Sequence, residues 1–420
     1  MRDTVLKWGG QSNTWLYLLL AYPLIDYLLR NILPIPVVSS FWDEVLLIVL
    51  SLFTFFAYLE GKRAMPGIKH VLAALFVLGV ALMVTDMANW KASVEGFRSI
   101  YQYLIAFFIG FYLLKSIEQL ENLLKGLVIV GFLTGLYGVM QVVLGVETPG
   151  SWVQEGEAIT TRAFSFVTSP NVLGSYMALI APIATGLFLK TTSRKEKLIW
   201  AVVTLVTLLA LLLTASRGAW FALAFSLFIC FYLWKRRIAL YLVLAGIIAV
   251  IGLYNVPDSV PMLGSLKNRV FGIFTPEYLA SSMQAGRLDR WGDAYDKMRI
   301  EPLFGVGLGH HGGAVGYRHF GTIYSDSYFF KSLAEFGLIG ITLLLIFVTM
   351  MLRNGVRAVK VWRNSPHFFL LLGLFGGLFA VALHNFVENI FEVPFMALYF
   401  WLFGGIFSAL LADQTQSKRG

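Results

Sequence analysis

Long apolar runs, separated by short polar stretches, recur along nearly the whole chain of 420 residues. A helix needs about 20 apolar residues to cross the hydrocarbon core of a bilayer, and about twelve runs approach that length. We predict spans near 14–33, 40–60, 69–88, 99–115, 121–145, 171–190, 197–215, 218–234, 238–255, 327–352, 366–385 and 392–411. No internal repeat or separate soluble domain interrupts the series. The pattern predicts an all-α integral membrane protein with one polytopic domain over residues 1–420.

Lysine and arginine fall mainly in alternate connections between these runs, which orients the array. By the positive-inside rule that side is cytoplasmic, so we predict an even number of spans with both termini in the cytoplasm. The residues on that side are Arg2, Lys7, Lys62, Arg63, Lys69, Lys115, Lys125, Lys190, Arg194, Lys195, Lys197, Lys235, Arg236, Arg237, Arg353, Arg357, Lys360, Arg363, Lys418 and Arg419.

Three longer connections are assigned to the opposite, extracytoplasmic side: residues 89–98, 146–170 and 256–326. The last joins the ninth and tenth predicted spans and is far longer than the other connections. Long loops in compact proteins usually carry function. We therefore predict that residues 256–326 form a cap containing short helices, and that this outer face carries the chemistry.

Composition narrows the class further. Hydrophobic residues make up 58% of the chain and charged residues only 14%, which excludes a soluble domain of this size. The net charge of +9 lies in short clusters between apolar runs rather than on one face, so we do not expect nucleic acid as a partner. The single cysteine, Cys230, cannot form an intrachain disulfide.

Arg217 lies between two apolar runs at a predicted outward turn. An arginine at such a position is costly unless it is paired or reaches the interface. One interpretation is an interfacial anchor beside Trp220. The other is a fixed cation for an anionic headgroup such as a lipid diphosphate, because a guanidinium group binds phosphate oxygens bidentately.

A helix is predicted to open at Gly286 and to end before Pro302. Arg287, Arg290 and Trp291 share one of its faces by their spacing, which indicates either a solvated surface or a second phosphate clamp. Arg162, before the Ser169-Pro170-Asn171 helix start, is a further candidate for the same cationic pocket.

Gly307, Gly309 and Gly312 fit the spacing G-x-G-x-x-G. No strand precedes them and no βαβ unit is available, so we reject a dinucleotide site. Tight turning and close approach of the backbone to a ligand explain these glycines better.

Histidines and carboxylates in the loop supply the acid–base candidates. No motif indicates a metal, although Asp293, Asp296, Glu301 and Asp326 leave that possibility open beside His310, His311 and His319. We expect no metal and no cofactor. Asp326 is the first candidate for a general base and His310 or His311 the second, while a purely interfacial role for Asp326 is the alternative.

Two further sets of residues complete the candidates. A polar cluster lies near the outer end of the eleventh span and is expected to face the bundle interior: His384, Asn385, Glu388, Asn389 and Glu392. Trp291 and Tyr328, and also Tyr317, are candidates for stacking on sugar rings.

Several of these strings resemble a known family. Ser216 to Trp220, the helix from Gly286 to Trp291, and Pro302 to Gly309 look like the O-antigen ligase and O-antigen polymerase superfamily of bacterial membrane glycosyltransferases. Ser-Pro-Asn-Val-Leu-Gly around Asn171 and Leu-Ala-Glu-Phe-Gly-Leu-Ile-Gly also fit. The resemblance extends from about residue 160 to 400.

This resemblance implies about twelve helices with a large outer loop between the ninth and tenth. It implies transfer of a glycan from an undecaprenyl-diphosphate carrier to a glycan or lipid-linked acceptor, at the outer face of the bacterial inner membrane. Arg217 and Arg287 match the arginines expected to hold the diphosphate.

One departure from the family pattern affects the assignment. Ligases of this family carry a histidine nine residues or so before a Gly-x-x-Gly, where this chain has Asp326 before Gly337 and Gly340. The substitution favours a polymerase of surface polysaccharide, with a ligase acting on a lipid core, wall or protein acceptor as the alternative. A secondary transporter and a scaffolding or lipid-flipping protein are the rivals from other classes, but the chain shows no matched halves.

Overall fold

The computed structural model describes residues 12–61, 63–152, 161–257, 260, 264, 267–268 and 270–417. Arg2, Lys7, Lys62, Lys418, Arg419 and the extreme termini lie outside the described residues, as do parts of the predicted outer loops 146–170 and 256–326. Within the described part, helices dominate and no strand occurs beyond an isolated bridge between Gly312 and Tyr324. The predicted all-α class is confirmed.

Most helices in the first half of the chain follow the predicted apolar runs, but Trp90–Tyr101 is helical where a connection over 89–98 was predicted, so that prediction was wrong. The helices of this half are α1 (12–20), α2 (Tyr22–Tyr27), α3 (Val38–Leu59), α4 (Lys69–Thr85), α5 (Trp90–Tyr101), α6 (Ile105–Leu113), α7 (Ile117–Val143), α8 (Pro170–Lys190) and α9 (Arg194–Leu213). A π-helical turn, Leu28–Ile32, continues α2.

The second half adds the cap and the last helices. They are α10 (Arg217–Trp234), α11 (Arg236–Tyr254), α12 (Pro276–Ala285), α13 (Arg287–Ile300), α14 (Ala314–Phe320), α15 (Tyr328–Val361), α16 (Phe368–His384) and α17 (Pro394–Ser417). The short helices α12, α13 and α14 lie in the long loop, and α13 begins and ends close to the predicted limits.

Eight described helices are long and apolar enough to cross a membrane: α3, α7, α8, α9, α10, α11, α15 and α17. The bent pair formed by α4 and Met87–Leu113 raises the number to nine, and α16 is a shorter apolar helix. A membrane protein is thus confirmed, while the predicted count of about twelve spans stays a prediction. No described helix of the first predicted span reaches the 18 residues required of a membrane-crossing helix, because α1, α2 and the π-helical turn are separate short segments.

The centre of the bundle is formed by helices that are apolar on all sides. Within an apolar stretch of 18 residues, 78% of the residues of α8 and 89% of those of α17 are buried. In α11 the buried share is only 6%. α8 packs along α16, and α17 packs along α6. A helix that is hydrophobic all round must be surrounded by protein or lipid, which accounts for both the central and the outermost helices.

Basic connections predicted to share one side do meet at one end of the bundle. Arg63 pairs with Asp413 at 2.6 Å and donates to the carbonyl oxygens of Phe111 and Leu114. Lys190 pairs with Glu121 at 2.6 Å. These contacts agree with one common side for the connections; its cytoplasmic orientation stays a prediction.

Glycine allows the closest helix contact of the core, between α6 and α17. A Cβ atom on Gly405 would overlap the carbonyl oxygen of Phe107, and one on Gly110 would overlap that of Leu402. Small residues let transmembrane helices approach until their backbones touch.

We expect Gly405→Ala to destabilise the bundle by about 1–3 kcal/mol, because the added methyl group must push α6 away. Thermal unfolding of the detergent-solubilised protein measures the effect. Gly246→Ala on α11 is the matched control, since nothing lies within 4 Å of a Cβ there. Equal unfolding temperatures for the two variants would show that the close contact is wrong.

Candidate active site

The long outer loop is attached to a break in α15. Gly337 has φ 64° and ψ −165°, which no helix accommodates, and the break exposes backbone groups on both sides. Segment Pro302–Gly307 satisfies them: Val306 N donates to Ala334 O at 2.8 Å, and Leu338 N donates to Pro302 O at 2.8 Å. Irregular backbone in a membrane protein requires such internal partners.

Two glycines make this attachment possible. Gly305 has φ 74° and Gly337 φ 64°, the left-handed region that favours glycine. A Cβ on Gly305 would collide with the backbone of Ala334 and Glu335, and one on Gly337 with that of Leu303. The glycine motifs of the sequence therefore join two segments of this chain.

Beneath the attached loop lies a buried ionic network. Lys331, only 2% exposed, pairs with Glu335 and with Glu392, the latter at 3.2 Å. Gly313 leaves room for this contact, because a Cβ there would overlap Glu392. Asn389 donates to the carbonyl of Gly312 at 2.8 Å. Glu335 also accepts a hydrogen bond from the backbone N of His311 at 3.3 Å, so this network contacts the loop.

Arginines of α13 face carboxylates at the start of α15. Arg290 pairs with Asp326 at 2.6 Å, and Arg287 lies 3.9 Å from Asp326 and 4.0 Å from Glu388. Asp326 has φ 48°, an uncommon conformation for a residue other than glycine. The predicted shared face of Arg287 and Arg290 is therefore turned towards acidic partners rather than bulk solvent.

Arg162 and Asn171 extend this group across α8. Asn171 donates to Glu388, and Arg162 donates to Asn171 at 3.4 Å. Arg162 is 7% exposed and also donates to the carbonyl of Thr214 at 2.9 Å. Arg162 is thus connected to Glu388, a neighbour of Arg287, through the side chain of Asn171. We call Arg162, Arg217, Arg287 and Arg290, with Asn171, Asp326 and Glu388, the arginine cluster.

Arg217 begins α10, three residues after Thr214. Its guanidinium group lies 5.1 Å from the ring centroid of Tyr278 on α12. Gly218 lies against the ring of His384, where a Cβ would be 2.9 Å from Nε2, and His384 is within electrostatic range of Arg287. Arg217 therefore shares the Thr214 turn with Arg162 and is linked through His384 to the surroundings of Arg287.

Two buried donor atoms at the cluster have no hydrogen-bond partner among the described residues. They are Nε of Arg290 and Nε1 of Trp291, the residue that follows Arg290 in the chain. The Trp291 ring stacks on Phe330 with centroids 5.0 Å apart. Buried polar groups are normally satisfied, so such donors indicate a place for an acceptor-bearing ligand. Tyr328, by contrast, is 2% exposed and packs against Phe391.

Glu388 was predicted only to face the bundle interior, and nothing in the sequence indicated its acid–base properties. It is 7% exposed. Burial, together with repulsion from Asp326, raises the pKa of Glu388 to about 7, although Arg287 opposes the shift. A carboxyl group with that pKa can both accept and release a proton near neutral pH.

The loop histidines have other partners. His310 Nε2 lies 2.6 Å from Asp86, between α4 and α5, and His319 lies 3.3 Å from Glu95. His311 is 1% exposed and lies 3.8 Å from Asp293. Burial lowers the pKa of His311, which favours its neutral form. Asp86 was not singled out by the sequence, since the two partners are 224 residues apart.

Among the described residues, no group of three or more histidine, cysteine, aspartate or glutamate side chains is arranged to hold a metal ion. The polar atoms of the site are instead guanidinium, carboxylate and amide groups.

Part of the amino-acid sequence matches a known protein family. Residues 200–345 match the family described as O-antigen ligase. The match includes Arg217, Arg287, Arg290, Asp326 and the Pro302–Gly307 segment. It supports an enzyme of the glycosyltransferase type. No curated protein matches the chain.

The predicted relationship to the O-antigen ligase and polymerase superfamily is confirmed by this match. Polymerase and ligase members are not distinguished by it. Arg162, Asn171 and Glu388 lie outside the matched residues and join the site through the fold alone.

We expect Glu388 to titrate near pH 7, protonated below and ionised above. Asp326→Asn should lower the pKa of Glu388, because a neighbouring negative charge is removed, and Arg287→Gln should raise it. Infrared difference titration measures this, with Glu388→Gln to assign the band. Asp296→Asn at an exposed position of α13 is the control. A band that ignores both Asp326 and Arg287 would contradict the described electrostatics.

Proposed function

We propose that this protein transfers a glycan from a lipid-diphosphate carrier, undecaprenyl diphosphate, to a growing glycan at the extracytoplasmic face of the bacterial inner membrane. The single observation that carries the proposal is the arginine cluster, in which Arg287 and Arg290 face Asp326 and Arg287 also faces Glu388. The family match supports glycosyl transfer in general. The carrier, the direction of transfer and the membrane side are our inference.

The leaving group explains why several arginines are needed. When the bond between the sugar and the lipid diphosphate breaks, negative charge develops on the diphosphate. Preorganised cations aimed at that charge are usually the largest contribution to such a rate. We assign Arg217 and Arg287 as the main contacts, Arg290 as a third because its Nε is unpartnered, and Arg162 as a support for Asn171.

Carboxylates hold the arginines in the absence of donor. Asp326 and Glu388 lie within ion-pair distance of Arg287, so a diphosphate that binds this arginine replaces them. Withdrawal of a cation and arrival of an anion both raise the pKa of a carboxyl group. Donor binding would therefore raise the proton affinity of a carboxylate that Arg287 releases, which favours proton transfer from the acceptor hydroxyl while that carboxylate is still ionised.

In the proposed step, one glycosidic bond forms while the bond from the sugar to the lipid diphosphate breaks. An acceptor hydroxyl oxygen attacks the anomeric carbon and forms the new glycosidic bond, while the bond from that carbon to the diphosphate oxygen breaks. The hydroxyl proton passes to a carboxylate, and the lipid diphosphate leaves with its electron pair. Sequence considerations named Asp326 as the first candidate base; the raised pKa of Glu388 makes it an equal candidate.

Polymerisation is preferred to ligation because Asp326 occupies the position where ligases of the resembling family carry histidine. Purified protein incubated with a lipid-diphosphate repeat unit separates the alternatives. A ladder of products supports a polymerase, and one block transferred to a second lipid supports a ligase. Solute uptake into proteoliposomes without either product would instead favour a transporter.

Arg217→Ala and Arg287→Ala should each lower kcat by about a hundredfold or more, because each removes a cation that stabilises the leaving group. The product ladder from lipid-diphosphate repeat units measures the rate. Arg299→Ala is the matched control, since Arg299 is 67% exposed and pairs only loosely with Asp296 at 3.7 Å. Unchanged polymer in the first two variants would remove the catalytic assignment and favour a scaffold.

Replacement of the base should lower kcat by about a hundredfold to ten-thousandfold with little change in donor binding. Glu388→Gln and Asp326→Asn are compared over a range of pH. If Glu388 is the base, activity of the unsubstituted protein falls as the pH drops through 7, where this group becomes protonated. A loss of kcat in Asp326→Asn but not in Glu388→Gln would identify Asp326; full activity in both variants would eliminate both.

A further inference from the structure

A second cavity lies beside the arginine cluster. It has a volume of about 500 Å³ and is formed by residues 22–31, 166–168 and 393–395. Pockets of about 300–1,000 Å³ are typical of small-molecule sites. The three segments end the first predicted span, precede α8 and open α17. All lie at helix ends predicted to be extracytoplasmic.

Two short stretches of chain connect the cavity to the arginine cluster. Thr168 lines the cavity, and Asn171 of the cluster follows three positions later. Val393 also lines the cavity, five positions after Glu388 of the cluster. Asn171 donates a hydrogen bond to Glu388, so the two segments that line the cavity meet at the cluster.

The cavity lining combines aromatic rings with planar polar groups. Tyr27 and Phe166 have ring centroids 5.0 Å apart, and Phe166 stacks on Tyr137 at 4.4 Å. Asp26 accepts from Arg30 at 2.7 Å and from Trp42 at 3.1 Å. Such groups offer several donors and acceptors beside an apolar face, which is what a sugar ring with its hydroxyl groups requires.

The charge balance argues against a diphosphate in this cavity. Its one arginine, Arg30, is already paired with its one carboxylate, Asp26, among the lining residues. The arginine cluster, by contrast, holds four arginines for two carboxylates. A neutral, hydroxyl-rich ligand therefore fits the cavity better than a polyanion.

The backbone at this cavity also departs from regular structure. Arg30 and Asn31 are presented by the π-helical turn Leu28–Ile32, a type of distortion frequent at functional sites. Thr168 has φ 57°, a conformation that costs free energy in a residue other than glycine. Both features orient polar groups of the lining.

We propose that this cavity binds sugar rings of the acceptor glycan and places its terminal hydroxyl beside the arginine cluster. The assignment as acceptor rests on the proposed function; the binding of a glycan does not. Tyr27 supplies a ring face, and Asp26 and Arg30 supply hydrogen bonds to hydroxyl groups.

The test measures binding of a lipid-free oligosaccharide to the purified full-length protein. The probe is the oligosaccharide that mild acid releases from the host's own lipid-diphosphate-linked glycan. Tyr27→Ala and Arg30→Gln should each weaken binding about tenfold, equivalent to the loss of one good contact. In transfer assays the same variants should raise KM for the acceptor and leave kcat unchanged.

The matched control is the pair Asp296→Asn and Arg299→Gln, a second Asp–Arg ion pair on the outer loop, away from the cavity. Binding by these variants should equal that of the unsubstituted protein, and thermal unfolding checks that every variant is folded. Because Arg30 is 48% exposed, Arg30→Gln keeps the test valid even if Tyr27→Ala unfolds.

Three outcomes overturn the cavity proposal: no binding by the unsubstituted protein, equal binding by all variants, or a change confined to binding of phosphatidylglycerol vesicles. Failure of the proposed function looks different. The unsubstituted protein would then form no transfer product from a lipid-diphosphate repeat unit, while oligosaccharide binding would still depend on Tyr27 and Arg30.

Discussion

The outer half of this protein depends on the backbone hydrogen bonds that another segment makes to the break in α15. At Gly337 the backbone of α15 leaves the helical conformation, and the exposed amide and carbonyl groups are satisfied by Pro302–Gly307. Unsatisfied backbone groups in an apolar surrounding are too costly to persist, so the loop cannot detach without a penalty on α15. This contact fixes the end of α13, and α13 carries Arg287 and Arg290.

Two groups of ion pairs then hold the outer loop against the bundle. Lys331 is buried between Glu335 and Glu392, so removal of Lys331 would leave two buried carboxyl groups without their cation. The arginine cluster differs in kind, because Arg287 and Asp326 are about a third and a fifth exposed and hold each other at only 3.9 Å. The first network is closed and structural. The second is loose enough for an anion to compete.

Local patterns predicted what local physics determines. Apolar length located most of the long helices, although α5 occupies the predicted connection 89–98, and the Arg287, Arg290 and Trp291 spacing gave the correct helix α13. Contacts distant in sequence carry no such signal: Asp86 meets His310, and Asn171 meets Glu388, only because the fold brings them together. Nothing in the sequence indicated that Gly305 contacts the backbone of α15, and the predicted ligand role of Gly307, Gly309 and Gly312 stays a prediction. The role of each arginine stays a prediction.

The arrangement of charge gives a physical reason for two adjacent sites rather than one. A donor diphosphate needs excess positive charge, and an acceptor hydroxyl needs a base that such charge would suppress. The cavity at Asp26 and Arg30 is electrically balanced, while Glu388 lies on the segment between it and the arginines. Burial raises the pKa of Glu388 to about 7, and an anion that draws Arg287 away would raise it further. In the function we propose, the arginines would therefore stabilise the departing anion, while the hydroxyl proton would pass to a carboxylate that is still ionised.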